Sequence, residues 1–166
     1  MVRGSSADPA IRSFLSARKT IAAARRAGLS LSDYIDQFSA EPGTTASTVE
    51  AMLRLAELRG HVDRICEIGA GTGRYAERVI AALEPSVYEV YETAADWLPH
   101  LSELRGVKIL PADGHSLSGT ASASVDLVHA QKFFVYLPLV ITAGYLEEMA
   151  RIVRPGGQCH LGVVDK

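Results

Sequence analysis

The residues with the clearest capacity for chemistry form one short run, Glu67-Ile68-Gly69-Ala70-Gly71-Thr72-Gly73, which follows the apolar stretch Ile65-Cys66 and precedes a helical pattern. Glycines at 69, 71 and 73 let a backbone turn sharply and keep side chains off its outer face, while the helix that follows offers unpaired N-terminal amides. That combination makes a cradle for a nucleotide. The spacing is GxGxG rather than GxGxxG, so the pyrophosphate fingerprint of dinucleotide enzymes is not met. Metal chemistry has no comparable support. Cys66 and Cys159 stand 93 positions apart, and His61, His100, His115, His129 and His160 form no metal-ligand spacing. No structural metal is expected.

The elements needed to hold that turn are legible around it. Strands are expected at Arg64–Ile68, Val87–Glu92, Val107–Pro111, Val125–Ala130 and Gln158–Val164, and helices at Arg74–Leu83, about Ala94–Leu104, and Leu139–Val153. Pro99 is compatible with the second of these helices only in its first turn. Strands separated by helices require right-handed crossovers and a parallel sheet covered on both faces. Before Gly60 the pattern is entirely helical. A first helix over 9–27 is capped by Asp8 and ended by Gly28, and a second covers Ser32–Phe38 until Glu41-Pro42-Gly43 breaks it. A third starts from a capping box, Ser47-Thr48-Val49-Glu50, and runs to Leu58. The expected division is a helical lid over 1–60 and a sheet core over 61–166.

The turn is similar to the first motif of the class I S-adenosylmethionine-dependent methyltransferases, in which an acidic and an apolar residue precede GxGxG. Four further landmarks follow in that family's order: Val90-Tyr91-Glu92, Asp113-Gly114, Val125-Asp126-Leu127-Val128-His129-Ala130 and Arg151-Ile152-Val153-Arg154-Pro155-Gly156-Gly157. The resemblance implies a Rossmann-like doubly wound parallel α/β sheet of order 3-2-1-4-5 with an N-terminal helical segment. It implies S-adenosylmethionine as cofactor, held by Glu67, Gly69, Ala70, Gly71, Gly73, Glu92, Thr93, Asp113, Gly114 and Ala130. A carboxylate at a strand tip accepts two hydroxyl hydrogen bonds, which suits Glu92 to a ribose. Each acid also has a local alternative: Glu67 capping turn amides, Glu92 solvated at a strand end, and Asp113 capping its own Asp-Gly turn.

For the transfer step, the segment Ala130-Gln131-Lys132-Phe133-Phe134-Val135-Tyr136-Leu137-Pro138 lies where the family brings the acceptor. His129 is the base candidate by chemistry, since imidazole titrates near neutrality, but its position inside a strand argues instead for a buried, hydrogen-bonded role. Tyr136 and Lys132 follow, and Phe133-Phe134 reads more readily as core. Alignment of donor and acceptor can supply much of the catalysis without a base. Glu41-Pro42-Gly43, Tyr88-Glu89-Val90-Tyr91-Glu92-Thr93 and Phe134-Val135-Tyr136-Leu137-Pro138 also resemble actinobacterial proteins described as sugar or glycolipid O-methyltransferases. That resemblance points to an oxygen of a small-molecule, sugar or lipid-linked acceptor. A non-catalytic cofactor-binding module or truncated inactive methyltransferase core, and a nicotinamide-dependent oxidoreductase, are the rivals, the last disfavoured by the glycine spacing.

Composition narrows the partners. Seventeen Lys+Arg against nineteen Asp+Glu give a net charge of −2, which disfavours a general nucleic-acid binder. The first 28 residues carry six Lys/Arg against Asp8 alone, a basic face suited to solvent, an anionic surface or a targeting peptide. No apolar run approaches the ~18 residues of a membrane span, so a cytoplasmic protein without an integral membrane segment is expected. The family adds two strands after the fifth. A chain stopping at Lys166 is expected to lack that hairpin, either as a fragment of a longer protein or as a chain whose apolar fifth strand is an edge closed by a homodimer. Cys66 and Cys159 should be reduced, buried and two strand spacings apart.

Overall fold

The computed structural model describes residues 16–38, 42–58 and 62–162. Its elements are α1 (Ala17–Ala27), α2 (Leu31–Phe38), α3 (Thr44–Leu55), β1 (Arg64–Ile68), α4 (Arg74–Leu83), β2 (Val87–Tyr91), α5 (Leu98–Leu101), β3 (Val107–Leu110), β4 (Val125–Gln131), a 3-10 turn (Phe134–Tyr136), α6 (Leu139–Ile152) and β5 (Val153–Gly162). All strands run parallel in the order β3-β2-β1-β4-β5. This is the expected Rossmann-like doubly wound sheet.

The two faces of the sheet are filled by alternate residues of the same strands. Ile65, Tyr88, Val90 and Leu127 pack toward α1, α3 and α4, and Cys66, Ile68, Tyr91, Val128 and Ala130 pack toward Tyr145, Met149 and Ile152 of α6. Every residue of β4 is buried, as a central parallel strand requires. Asp126 joins three strands at their amino ends. One carboxylate oxygen accepts from the Asp63 and Arg64 amides at 2.9 and 2.7 Å, and the other pairs with Arg154 at 2.5 Å.

The N-terminal helices belong to the same core. Ala17, Ala24, Leu31, Ile35, Val49 and Met52 are buried with Tyr75, Ala76 and Val79 of α4. A polar seam fixes α2 on α4: Arg74 donates to Asp36 at 3.4 Å, Arg78 pairs with Asp33 and Asp36 at 3.3 and 3.6 Å, and the Ser32 and Thr45 hydroxyls donate to Glu77 and Asp36. α1 ends at Gly28, whose φ of 67° lets its own amide and that of Leu29 return to Arg25 and Ala24. The expected start of this helix near Asp8 lies outside the described residues, as do Glu41, Gly60 and Val163-Val164.

Several boundaries differ, each for a local reason. α3 begins at Thr44 behind Gly43, at φ 79°, so Ser47 lies inside the helix, donating to the Thr44 carbonyl at 3.1 Å instead of forming a capping box. α5 is only four residues long because Ala94–Trp97 is spent on a turn closed by Trp97 N–H to Ala94 O at 3.0 Å, with Pro99 in its first turn. β5 starts at Val153 rather than Gln158 and carries Pro155-Gly156-Gly157 within it, through a register break opposite Val125–Leu127. A side chain at Gly157 would stand within 3.0 Å of the Val125 and Asp126 carbonyls. Both cysteines are free. Cys66, Val128 and Cys159 lie in one row across β1, β4 and β5, but Cys159 is exposed rather than buried, because β5 is the outer strand.

Candidate functional site

The glycine turn connects β1 to α4 at the carboxyl edge of the sheet, and each glycine has its own reason to be one. All three have positive φ: 71° at Gly69, 51° at Gly71 and 75° at Gly73. Gly69 is tied to β2 by its amide on Tyr91 O at 2.8 Å, and the Phe133 ring fills the space a side chain there would need. Gly73 opens α4, and a side chain there would meet Leu101 at 2.9 Å. Gly71 is different, since among the described residues nothing lies within 4 Å of where its Cβ would stand. The turn is therefore packed from beneath at 69 and 73 and open at 71, which fits a ligand laid on its backbone.

Glu92, just past the end of β2, organises the open side. Its Oε2 accepts the Gly71 amide at 2.6 Å and its Oε1 the Ala94 amide at 2.6 Å. Each oxygen has a second lone-pair direction, so the carboxylate can also accept two hydroxyls. Thr93 is exposed beside it, and Ala70 is buried within the turn. Asp113 closes the third strand's end by binding its own turn: Oδ1 accepts from the His115 and Ser116 amides at 2.9 and 2.7 Å, and Oδ2 from the Ser116 hydroxyl at 2.5 Å. The Ser116 hydroxyl and the His115 amide hold its carboxyl down at about 2. Gly114 follows at φ 83°. Glu92 and Asp113 thus stand past the carboxyl ends of β2 and β3, with Glu92 against the turn that leaves β1.

Glu67 caps no turn amide. It is 1% exposed inside β1, where its Oε2 accepts the Tyr88 hydroxyl at 2.8 Å, and burial, with the Glu92 charge adding, pushes its carboxyl up to about 8. His129 lies directly across on β4 and is fully buried, its Nε2 2.8 Å from the same Tyr88 oxygen and its Nδ1 without a protein partner. Burial, helped by His160, pulls the imidazole down to about 3, so it is neutral and lies beneath the surface. Ala130, next along β4, is also fully buried. Tyr136 is 60% exposed on the 3-10 turn, and Lys132 sits at φ 55° between β4 and that turn. Phe133 and Phe134 form an aromatic cluster with Tyr145 of α6 at ring separations of 5.2, 5.3 and 6.1 Å.

Two participants have no motif to announce them. Tyr88 links Glu67 to His129, and the signal that could have found it is a tyrosine inside a buried strand, whose hydroxyl must find a partner. Phe133, which closes the underside of Gly69, comes from 64 residues away in the chain, and periodicity alone assigns it only to the core. An apolar groove between α3 and α4, lined by Val49, Leu53, Ala81 and Ala82 among others, includes none of the turn residues.

Comparison with known proteins agrees with this fold. A protein assigned as an S-adenosyl-L-methionine-dependent methyltransferase of Methanococcus maripaludis superposes with a TM-score of 0.67 at 14% identity, over 97% of this chain and 67% of that one. The N-methyltransferase NodS of Bradyrhizobium japonicum, solved with S-adenosyl-L-homocysteine, gives 0.57 at 18% identity over 69% of this chain and 59% of NodS. A SAM-dependent methyltransferase of Aquifex aeolicus gives 0.55 at 15% identity, over 75% and 68% of the two chains. At such identities the likeness is one of fold. The chain spans about two thirds or less of the solved structures it matches first, 67%, 59% and 54%. No curated protein matches the sequence. The methyltransferase domain family matches residues 66–161, from β1 to β5 and well over half of the chain, and the protein belongs to that family.

Proposed function

We propose that this chain is the cofactor-binding core of an S-adenosylmethionine-dependent methyltransferase that passes a methyl group to an oxygen of a small-molecule, sugar or lipid-linked acceptor. The observation that carries the reading is the Glu92 carboxylate, clamped between the Gly71 and Ala94 amides at 2.6 Å each, with spare lone pairs beside an open glycine turn. When bound, the cofactor supplies an electrophilic methyl group on a positively charged sulfur. Glu92 binds the ribose hydroxyls, the Asp113-Gly114 turn borders the base, and Gly69–Gly71 leaves the backbone bare for the methionyl portion, with Glu67 behind it.

The order of the strands supports this assignment. Passing from β3 through β2 to β1, the chain presents Asp113, Glu92 and the glycine turn in sequence, so one extended ligand meets all three. The segment after β4 then borders its far end, where Phe133 already touches Gly69. Of the residues expected to act on the acceptor's proton, Tyr136 is exposed and Lys132 half-buried, whereas His129 is enclosed. Alignment of donor and acceptor is then the larger share of catalysis. The helices of 1–60 serve in this reading as the cover that selects the acceptor. The open edge of β5 pairs two copies, and the free cysteines suit the reducing cytoplasm.

Binding without turnover is the second reading, favoured by the enclosure of His129. Calorimetric titration with S-adenosylmethionine and S-adenosylhomocysteine, on the wild type and on Glu92→Ala, tests the site. Saturable binding by the wild type and its loss in a folded Glu92→Ala variant supports the cofactor site. A folded wild type that binds neither molecule refutes it. Methyl transfer to a hydroxyl acceptor separates the enzyme from the binding module.

A further inference from the structure

Glu67, Tyr88 and His129 come from β1, β2 and β4 and meet inside the sheet at 1%, 0% and 0% exposure, with the Tyr88 oxygen 2.8 Å from both Glu67 Oε2 and His129 Nε2. A hydroxyl has one proton, so it donates to one neighbour and accepts from the other. With any proton of Glu67 on the contacting Oε2, only two arrangements satisfy both contacts with a neutral imidazole. In the first, a protonated Glu67 donates to Tyr88, Tyr88 donates to Nε2, and the imidazole proton is on Nδ1. In the second, an ionised Glu67 accepts from Tyr88, whose oxygen accepts from Nε2–H, and Nδ1 is bare. His129 Nδ1 has no protein partner in either, so nothing at that end selects between them. The choice lies at Glu67.

We propose that Tyr88, braced by His129, is a positioning residue that couples the ionisation of Glu67 to the arrival of a cationic cofactor on the glycine turn, with the imidazole tautomer of His129 changing in step. The inference rests on the cofactor reading above. The proton count balances: Glu67's proton passes to the Tyr88 oxygen, Tyr88's own passes to Nε2, and the one on Nδ1 is released to water, so three protons become two. No covalent bond between heavy atoms changes.

The surroundings explain why a ligand's charge decides the state. Glu67 faces Glu92 from the end of β2 and Tyr75 from α4, with Cys66 beside it in β1 and His160 behind His129 on β5. Arg74, at the start of α4, is already engaged by Asp36 of α2 and by the Tyr75 hydroxyl. Without a further cation, burial and the negative charge of Glu92 favour the protonated form. A sulfonium and an ammonium placed over Gly69–Gly71 reverse that preference, and S-adenosylhomocysteine, which has no sulfonium, reverses it less.

The test is calorimetric titration at pH 7 in two buffers of different ionisation heat, which counts the protons released on binding, combined with nitrogen NMR of the histidine rings. The wild type should release close to one proton per S-adenosylmethionine beyond the count for Glu67→Gln, and fewer with S-adenosylhomocysteine. The protonated nitrogen of His129 should move from Nδ1 to Nε2 on binding. Tyr88→Phe should bind S-adenosylmethionine several-fold more weakly, with a smaller loss for S-adenosylhomocysteine. Glu67→Gln preserves the shape and neutrality of the buried group, so the comparison stands even where Tyr88→Phe fails to fold. Binding with equal proton counts in wild type and Glu67→Gln, and an unmoved His129 tautomer, overturns the inference and leaves the cofactor reading intact. A folded wild type that binds neither molecule overturns both.

Discussion

The ring of Phe133 fills the space that a side chain on Gly69 would need, whereas among the described residues nothing lies near the corresponding space at Gly71. Two glycines of one turn are therefore required for different reasons. Gly69 lets the segment after β4 close against β1, and Gly71 keeps a surface bare.

Substitution separates these two roles. Gly69→Ala adds both a left-handed residue and a clash, and should cost about 2–4 kcal/mol. Gly71→Ala adds only the backbone penalty, about 1–2 kcal/mol, yet should lose S-adenosylmethionine binding because its methyl group projects into the open space. Urea denaturation paired with calorimetry reads both effects. Equal stability losses would contradict the assignment of Phe133 to Gly69.

Asp36 is 5% exposed and accepts from Arg74 at 3.4 Å while receiving the Thr45 hydroxyl, so its removal strands a buried guanidinium. Asp36→Ala should cost about 3–5 kcal/mol. Adding Arg74→Met should recover a large part of that loss, giving non-additivity in a double-mutant cycle by denaturation. Additive losses would show that the seam between α2 and α4 is held by its apolar contacts alone.

Glu67 provides a pH signature in the ligand-free protein. Its folded carboxyl is pushed up to about 8, while an unfolded chain ionises near the ordinary glutamate value. Protons are then bound more tightly by the folded state, so stability should fall as the pH rises from about 4.3 toward 8 and level off above it. The slope is at most about 1.4 kcal/mol per pH unit. Glu67→Gln should remove this component, and denaturation curves at pH 5, 6, 7 and 8 check it.

Asp113 behaves in the opposite sense. The Ser116 hydroxyl and the His115 amide hold its carboxyl at about 2, so the turn's contribution is present above the unfolded carboxylate range and is lost as the pH falls toward about 2. With the carboxylate at the surface, solvent keeps the contribution small. The backbone amides of His115 and Ser116 should shift together near that pH in an NMR titration, and Asp113→Asn should abolish the transition.

The order of the elements was determined by local sequence. Apolar runs of five to seven residues alternating with helical periods demand parallel pairing, and β1 and α4 fall where the sequence places them because Gly69, Gly71 and Gly73 end one and open the other. Where turn chemistry competes, local signals mislead. Ser47–Glu50 has the letters of a capping box, but Pro42-Gly43 starts the helix earlier, and Gly157, with no side chain, lets β5 lie close against the Val125 and Asp126 carbonyls. The same holds at the site. The places of Glu92 and the glycines were legible because they follow from strand-end position and backbone conformation. Tertiary structure alone decided that His129 meets Tyr88, that Glu67 answers to Tyr88 rather than to turn amides, and that Phe133 lies under Gly69. Those contacts join residues 21, 41 and 64 positions apart, set by strand register and side-chain packing, and no local propensity encodes them.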